Sequence, residues 1–349
     1  MEPRQPPPAI AIATRRFYPL VGGSETVTWL ISRELARLGC QVKVVAHNRH
    51  KGPEPEHCQV VRHPGIIGWY RQLAGVDGVI FICPALIFLW PLLFRRIPAL
   101  ITHHAVYSRS AAGDVLKNLC RRPLYKMARH AVPSQAVAET VAAESVIAGN
   151  PYDDELFREL PGMERSIELV FLGRLIPEKG AMLLLEALAL LRQRGLRPRS
   201  TVAGEGPDRR QLERRASELG VADQVHFAGR VTGPSLAQLL NRHRLLVVPS
   251  LCREAFGIVV LEAMACGCVP LVANHGGLPE AAGPAGEVFR PGDTVELADK
   301  IAKLLTAPEE GDRYRALARA HLRNYEARSI AVKYLSLLGL DQRARSRCS

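Results

Sequence analysis

The segment 245–273 alternates short apolar runs with a loop and a helix-length stretch. Residues 245–249 form an apolar run ending in Pro-Ser, which predicts a buried strand and the loop that leaves its carboxyl end. A helix predicted to begin near residues 256–258 ends at Gly267, and residues 269–273 predict the next strand. This order of strand, loop, helix and strand is typical of α/β proteins.

Two carboxylates lie eight residues apart in the loop and helix of this segment. Glu254 lies in the loop, and Glu262 lies about two turns into the helix, where one acceptor could hold a sugar hydroxyl. The backbone N–H groups of Phe256, Gly257 and Ile258 fall in the first turn, so they lack intrahelical partners and can face an anion. The alternative is an acidic loop followed by an ordinary core helix.

A pair of basic residues follows another predicted strand, 168–172. Arg174 and Lys179 lie in the loop, and Gly180 adjoins the apolar helix predicted over 181–191. Two cations beside a helix N-terminus suit a diphosphate, because Arg can bind two oxygens and Lys adds a point charge. A surface loop with solvated charges is the alternative.

The first half of the chain contains a second strand–loop–helix–strand unit. Residues 10–13 and 41–46 predict strands, and residues 29–38 predict a helix that ends at Gly39. Gly22 and Gly23, in the loop between, would let a backbone approach a phosphate. They lack the three-glycine spacing of a dinucleotide fingerprint, which argues against a nicotinamide dehydrogenase.

Two histidines follow the strand predicted over residues 99–102. In open α/β sheets, the loops at the carboxyl ends of the strands form the ligand site, so His103 and His104 fall where a ligand is expected. A neutral histidine that packs and caps the loop is the alternative. We assign no functional role to His103.

The run 253–267, followed by His-Gly-Gly-Leu-Pro-Glu at 275–280, resembles the donor-binding signature of retaining glycosyltransferases of family 4. Matching segments extend from residue 17 to about 295. The resemblance implies the α/β GT-B fold, with two Rossmann-like domains facing a central cleft. It implies an acceptor-binding domain over 1–155, a donor-binding domain over 156–325, and a final helix in 326–349 that can cross back to the first domain.

The resemblance also implies roles for individual residues. His104 would lie near the reacting sugar and bind donor or acceptor oxygens. The residues implied as catalytic are His104, Arg174, Lys179 and Glu254. Those implied to bind the donor are Gly22, Gly23, Arg174 and Lys179 at the pyrophosphate, Gly204 and Val231 at the nucleoside, and Glu254, Phe256, Gly257, Ile258 and Glu262 at the sugar, phosphate and ribose. For the turns at Gly204 and Val231, a purely structural role is the alternative.

The implied reaction transfers a sugar from a UDP- or GDP-linked donor to a hydroxyl of a glycan or lipid-linked acceptor, with retention at the anomeric carbon. No metal ion and no cofactor beyond the nucleotide sugar is expected, because protein cations and amides replace the ion. Two alternatives remain: a catalytically silent nucleotide-sugar-binding protein, and a dinucleotide-dependent oxidoreductase.

The charge is concentrated in the first half of the chain. The 349 residues carry a formal net charge of +12, and residues 1–150 hold 18 Lys and Arg against 9 Asp and Glu. No motif for binding DNA or RNA is present, so we rank a membrane surface or a pyrophosphate-linked lipid above nucleic acid. A solvated surface is the alternative, and it also applies to the basic helix predicted over 121–129, which precedes a strand at 131–134.

The apolar run 79–94 is too short for a membrane span, which needs roughly 20 residues, and two prolines interrupt it. It predicts a strand at 79–82 and an apolar helix from about Ala85. That helix is either core or packed against a bilayer with Arg95 and Arg96 at head-group level.

The eight cysteines have no C-x-x-C spacing, and the N-terminus has no basic-then-apolar leader. We therefore expect reduced thiols and a cytoplasmic protein that can bind peripherally at the inner face of the membrane.

Overall fold

The computed structural model describes residues 6–20, 22–84, 86–107, 123–141 and 143–341. The chain divides into two compact units. The first contains the residues up to Pro151 together with those from Tyr325 onward, and the second contains Tyr152–Asn324. The observed boundaries between the units are therefore 151/152 and 324/325. The boundaries expected from the sequence are 155/156 and 325/326.

The first unit is built on a seven-stranded parallel sheet in the order β3-β2-β1-β4-β5-β6-β7. Strands β1, β4 and β5 are buried along their whole length or nearly so, because helices cover both faces. The strands are β1 (Ala9–Thr14), β2 (Gln41–Ala46), β3 (Gln59–Arg62), β4 (Gly78–Ile82), β5 (Ala99–Thr102), β6 (Arg129–Val132) and β7 (Val146–Ile147). The helices are α1 (Gly23–Arg37), α2 (Gly65–Gln72), α3 (Leu86–Leu89), α4 (Gln135–Ala138) and α12 (Ala327–Leu338).

The last helix of the chain belongs to the first unit. Helix α12 packs against α1 and buries Ile330, Tyr334 and Leu335. Beyond it, Leu340 packs beside Gly78 of β4. The helical pattern over 314–340 is interrupted by a 3-10 turn, Arg323–Tyr325.

The second unit is built on a six-stranded parallel sheet in the order β10-β9-β8-β11-β12-β13. Its apolar helix α5 packs against α10. The strands are β8 (Ile167–Leu172), β9 (Ser200–Ala203), β10 (Val225–Gly229), β11 (His243–Val248), β12 (Val269–Ala273) and β13 (Glu287–Phe289). The helices are α5 (Ala181–Gln193), α6 (Arg209–Glu218), α7 (Gly233–Asn241), α8 (Ile258–Ala265), α9 (Leu278–Ala282), α10 (Thr294–Thr306) and α11 (Pro308–Leu322).

Two local predictions need correction. The apolar helix expected from Ala85 is only the short α3, followed by a 3-10 turn, Trp90–Leu93, because Pro91 has no N–H to continue an α-helix. The strand expected at 131–134 lies at Arg129–Val132, since Ser134 is the N-cap of α4 and accepts a hydrogen bond from the Val137 N–H. Residues 108–122, which include the start of the predicted basic helix, lie outside the described residues.

Candidate functional site

Two loops of the second unit meet at the carboxyl edge of its sheet. Strands β8 and β11 are parallel neighbours, so the loops that follow them leave from the same edge. The Leu251 N–H donates to the Glu178 carbonyl at 2.8 Å. Gly180 has φ +71°, and a Cβ there would lie 1.9 Å from the Pro249 carbonyl oxygen. Glycine at position 180 is therefore what allows the two loops to touch.

The two loops bring Lys179 and Glu254 into an ion pair. Lys179 Nζ lies 2.8 Å from Glu254 Oε1, and the two side chains are 22% and 14% exposed. The Ser250 hydroxyl donates to the same carboxylate oxygen. Because both charges are mostly removed from water, each depends on the other or on a ligand for compensation. A charged pair of this kind can exchange partners with an incoming anion and its hydroxyl groups.

Arg174 lies at the same edge, directly after β8, with an exposed side chain. Its loop packs on the turn after β9: a Cβ at Gly204, where φ is +151°, would lie 1.8 Å from the Gly173 carbonyl oxygen. The Gly204 N–H donates to the Gly229 carbonyl at 2.7 Å, which joins the turn after β10. Val231 follows that turn and is partly exposed.

Helix α8 begins next to Glu254. Gly257, with φ +104°, is the N-cap and offers no side chain to the first amides of the helix, which starts at Ile258. The Gly277 N–H donates to the Glu254 carbonyl at 2.8 Å, which fixes this loop to the start of α9. The Phe256 side chain is 1% exposed, so only its backbone is available to a ligand.

Glu262 lies in the second turn of α8 and is partly buried. Burial, followed by the charge of Asp153, raises the pKa of its carboxyl group to about 7. A carboxyl group with this pKa is only part ionised at neutral pH. It can therefore donate a hydrogen bond to a hydroxyl group in its protonated form and accept one from a hydroxyl group in its ionised form.

His104 of the first unit is held from both sides. Its Nδ1 lies 2.8 Å from Asn150 Oδ1, and its Nε2 lies 2.9 Å from the Thr102 hydroxyl. Burial lowers the pKa of the ring to about 4, although the bond to Asn150 opposes the shift. The ring is therefore neutral, with Nδ1–H donating to Asn150 and Nε2 accepting from Thr102.

His103 belongs to the core of the first unit. Its side chain is fully buried, its Nε2 lies 3.0 Å from His130 Nδ1, and its Nδ1 lies 3.0 Å from the Tyr107 hydroxyl. The Tyr125 carbonyl accepts from His130 Nε2 at 2.9 Å, so the chain of bonds has one consistent direction. These bonds satisfy the buried rings, in agreement with a structural role for His103.

Gly22 and Gly23 form the start of α1 in the first unit. Gly22 is the N-cap in an extended conformation, and Gly23 is the first residue of the helix. A Cβ at Gly22 would lie 2.6 Å from Glu25 Oε2, so the glycine leaves room for the buried Glu25 carboxylate. The proposed site residues are thus divided between the units: Gly22, Gly23 and His104 lie in the first, and Arg174, Lys179, Gly204, Val231, Glu254, Phe256, Gly257, Ile258 and Glu262 lie in the second.

Sequence reasoning did not identify the side chains that hold the candidate residues in place. Ser250 binds Glu254, and its position directly after a predicted strand was a local signal. Asn150 binds His104 from 46 residues away along the chain. No local pattern indicates that partner, because only the folded sheet brings the two together.

Two models of known protein families match this chain. The model described as Glycosyltransferase Family 4 matches residues 21–151, and the model described as Glycosyl transferases group 1 matches residues 153–321. The chain belongs to glycosyltransferase family 4. Each matched range lies within one of the two structural units, and the fold is GT-B.

Relatives of this family-4 chain agree with that assignment. It is 32% identical over 251 residues to the MMP alpha-(1->4)-mannosyltransferase of Mycolicibacterium hassiacum. The alignment covers 68% of this chain and 54% of the relative. The aligned part therefore spans about half the length of that relative.

Solved structures share the fold at low sequence identity. A glycosyltransferase from Rickettsia africae superposes with a TM-score of 0.79 at 15% identity, covering 96% of this chain and 99% of the other. The Anabaena protein HepE in complex with UDP gives 0.77 at 18% identity, covering 95% and 99%. In the part of the family-4 chain that the structure describes, no helix has the length and apolar character to cross a bilayer.

Proposed function

We propose that this protein transfers a sugar from a UDP- or GDP-linked donor to a hydroxyl of a glycan or lipid-linked acceptor, with retention at the anomeric carbon. The observation that carries the proposal is the Lys179–Glu254–Ser250 cluster at the start of α8, beside the exposed Arg174. It supplies cations for a diphosphate next to a carboxylate for sugar hydroxyls.

The chemistry follows from where negative charge develops. The bond between the anomeric carbon and the diphosphate oxygen breaks, and the acceptor oxygen bonds to the same face of that carbon. The departing phosphate takes the acceptor proton. Lys179, Arg174 and the first amides of α8 stabilise the charge on the diphosphate as it leaves.

The two carboxylates have different roles in this proposal. Glu254 exchanges its bond with Lys179 for hydroxyls of the donor sugar and offsets positive charge on the ring. Glu262 holds the ribose. His104, neutral at physiological pH, exchanges one of its two present hydrogen bonds for a sugar oxygen.

Metal independence is part of the proposal, because protein cations occupy the role that a divalent ion would have. Transfer activity should therefore be unchanged by EDTA and by added Mg²⁺ or Mn²⁺. Activity that disappears with EDTA and returns with Mg²⁺ would contradict this.

Peripheral membrane contact is the second part of the proposal. The side chains of Ile66, Ile67, Leu93 and Phe94 are 58%, 69%, 56% and 70% exposed. We call this set the apolar surface. The elements that carry it are adjacent, since Tyr70 of α2 stacks on Trp90 at 5.5 Å.

Basic residues accompany the apolar surface. Arg95 lies over the Tyr70 ring at 4.4 Å, and the neighbouring Arg96 is exposed. Apolar side chains next to arginines suit an anionic bilayer.

Replacing Leu93 and Phe94 by serine should reduce sedimentation with phosphatidylglycerol vesicles, whereas Val295→Ser, at a 53% exposed valine of the second unit, should not. Equal sedimentation of the wild type, the double serine variant and Val295→Ser would reject membrane contact.

The experiment that tests the transferase proposal is a thermal-shift screen with UDP, GDP, ADP and NAD, followed by turnover with the matching sugar nucleotides. One nucleoside diphosphate should raise the melting temperature of the wild type and of Lys303→Ala, but not of Lys179→Ala. Binding without turnover would indicate a silent nucleotide-sugar-binding protein. A shift with NAD alone would indicate an oxidoreductase.

A further inference from the structure

The first unit contains a cavity of about 690 Å³ at the carboxyl edge of its sheet. The residues that line it follow three neighbouring strands: Thr14 ends β1, His47 follows β2, and Cys83 follows β4. A volume of this size holds a small ligand, and the carboxyl edge is where open α/β sheets bind one.

Basic side chains dominate the polar lining. Arg15 and Arg16 are exposed, and His47 is partly buried. Arg16 lies 3.4 Å from the buried Glu25 carboxylate. Within the described ranges of the chain, neither Arg15 nor either ring nitrogen of His47 has a hydrogen-bond or ion-pair partner.

Other basic side chains surround His47. Its ring lies 5.6 Å from that of His63, and burial, His63 and Arg15, in that order, lower its pKa. A lowered pKa leaves His47 neutral at pH 7, so the positive charge of the lining is that of Arg15 and Arg16. Glu25 is already paired with Arg16, whereas an anion in the cavity would compensate Arg15. The lining therefore has the charge of a site whose ligand is negative.

The backbone that carries the arginines is fixed. Asn48 accepts from the Phe17 N–H at 2.8 Å and donates to the Phe17 carbonyl at 3.0 Å. The Thr14 hydroxyl donates to the Arg16 carbonyl at 3.0 Å. These bonds position the segment 14–17 before any ligand binds, which lowers the entropy lost on binding.

Two non-glycine residues at this edge have left-handed backbones. His63 and Cys83 both have φ +46°. Their N–H groups donate to Ala46 and Thr102 carbonyls at 3.0 Å, which holds both residues in place. Strained residues of this kind are found where a ligand site is built. Here Cys83 lines the cavity, and the His63 ring lies beside that of the lining residue His47.

Two apolar side chains complete this part of the lining. Ile82 and Phe88 line the cavity, and the Phe88 ring meets the His47 ring edge-on at 4.7 Å. A ligand that carries a negative group next to the C–H face of a ring or chain matches this mixed lining.

We propose that this cavity binds the acceptor through a phosphate ester, held by Arg15, Arg16 and His47. The inference rests on the proposed function, because it names the chemical class of the acceptor. The phosphate belongs either to a soluble sugar phosphate or to a phospholipid head group, and the experiment separates these two sources.

Binding is measured without donor, by calorimetry with glucose 6-phosphate, glucose and inorganic phosphate, and by sedimentation with phosphatidylglycerol vesicles. Arg15→Gln should weaken binding of the phosphate-bearing probe at least about tenfold, since one charge-assisted contact is lost. Arg49→Gln, which removes an exposed charge outside the lining, should leave it unchanged. NMR titration should show the pKa of His47 rising when the probe is bound.

The two sources give different results. Arg15-dependent binding of glucose 6-phosphate but not glucose assigns a sugar phosphate. Vesicle binding that Arg15→Gln reduces and Arg49→Gln leaves unchanged assigns a lipid phosphate. Equal affinity for glucose and glucose 6-phosphate with no Arg15-dependent vesicle binding, or equal effects of the two substitutions, overturns the proposal.

The test of phosphate binding can fail separately from the test of the transferase proposal. Nucleotide binding depends on Lys179 in the second unit and should be unaffected by Arg15→Gln. Transfer to uncharged acceptors without binding of the phosphate probes would reject the phosphate site and leave the transferase standing. Phosphate binding without any nucleotide binding would do the reverse.

Discussion

Glu262 shows how a residue proposed to bind a ligand can lower the stability of the unliganded protein. Its pKa is raised to about 7 in the folded state and is ordinary in the unfolded chain, so folding favours the protonated form. The stabilising contribution of that form is complete below about pH 4.5 and is lost as the pH rises through 7. The ribose hydroxyls of a donor would supply the partners that an ionised Glu262 lacks.

Glu262→Gln should therefore stabilise the unliganded protein at pH 8 by about 1 to 3 kcal/mol relative to the wild type, with little effect at pH 5. The same substitution should weaken binding of the nucleoside diphosphate. Urea unfolding at the two pH values measures the first effect, and calorimetry measures the second. A stability difference that does not change between pH 5 and pH 8 would contradict the raised pKa.

His104 has the opposite dependence on pH. Its folded pKa is about 4 and its unfolded pKa is near 6.5, so the unfolded chain binds the proton first and stability falls as the pH drops from 6.5 to 4. His104→Gln should be less stable than the wild type at pH 7, because it loses bonds to Asn150 and Thr102. The difference should narrow by about 1 to 3 kcal/mol at pH 4.5. Urea midpoints across this range give the measurement, and a constant difference would rule out a neutral buried ring.

At the scale of elements, several central strands and the loops at their carboxyl ends were predictable from sequence. Strand β12 and the start of helix α5 were placed at the observed residues, because each is an apolar run that closely follows a glycine, Gly267 and Gly180 respectively. The apolar run 79–94 was harder, since apolar character alone does not show that Pro91 ends the helix after one turn.

Contacts between elements were not predictable. The Lys179–Glu254 pair joins loops 75 residues apart, and the cavity of the first unit gathers residues from three strand ends. Such partners depend on strand order, which local periodicity does not encode. The sequence predicted the loops after β8 and β11 one at a time, while their contact at Gly180 required the structure.

Gly180→Ala tests that joining. A Cβ at this position meets the Pro249 carbonyl, so the substitution should separate the two loops, destabilise the second unit and abolish the nucleotide-induced thermal shift. Gly195→Ala is the control, because its φ is +82° but nothing lies within 4 Å of the added atom. It should cost only the left-handed backbone term, about 1 to 2 kcal/mol, and Gly180→Ala should cost at least about 1 kcal/mol more because of overpacking. Equal stability of the two variants would show that the loops are not held by this contact.

At the scale of the whole molecule, the last helix completes the first unit rather than extending the second. Helix α12 covers α1, and Tyr334 is 1% exposed. The first unit is thus made from both ends of the chain, and the second is one continuous segment. The first unit therefore cannot finish folding until the last residues of α12 are available.

Tyr334→Ala should destabilise the first unit by about 3 to 5 kcal/mol, the usual cost of removing a buried aromatic side chain. Hydrogen exchange should then accelerate in β1, β4 and β5 while β8 and β11 keep the protection of the wild type. Phe289→Ala, at a residue buried in the second unit, should give the reverse pattern. Uniform acceleration in both units for either variant would show that they unfold as one.

The bond between Lys179 and Glu254 has a consequence for turnover. In the proposed reaction, the nucleoside diphosphate product would share the Lys179 ammonium group with Glu254, and the carboxylate is always present at a high effective concentration. The Glu254 carboxylate would therefore compete with the product phosphate for Lys179. If the proposed function holds, the pair lowers the affinity for the donor and speeds the departure of the product.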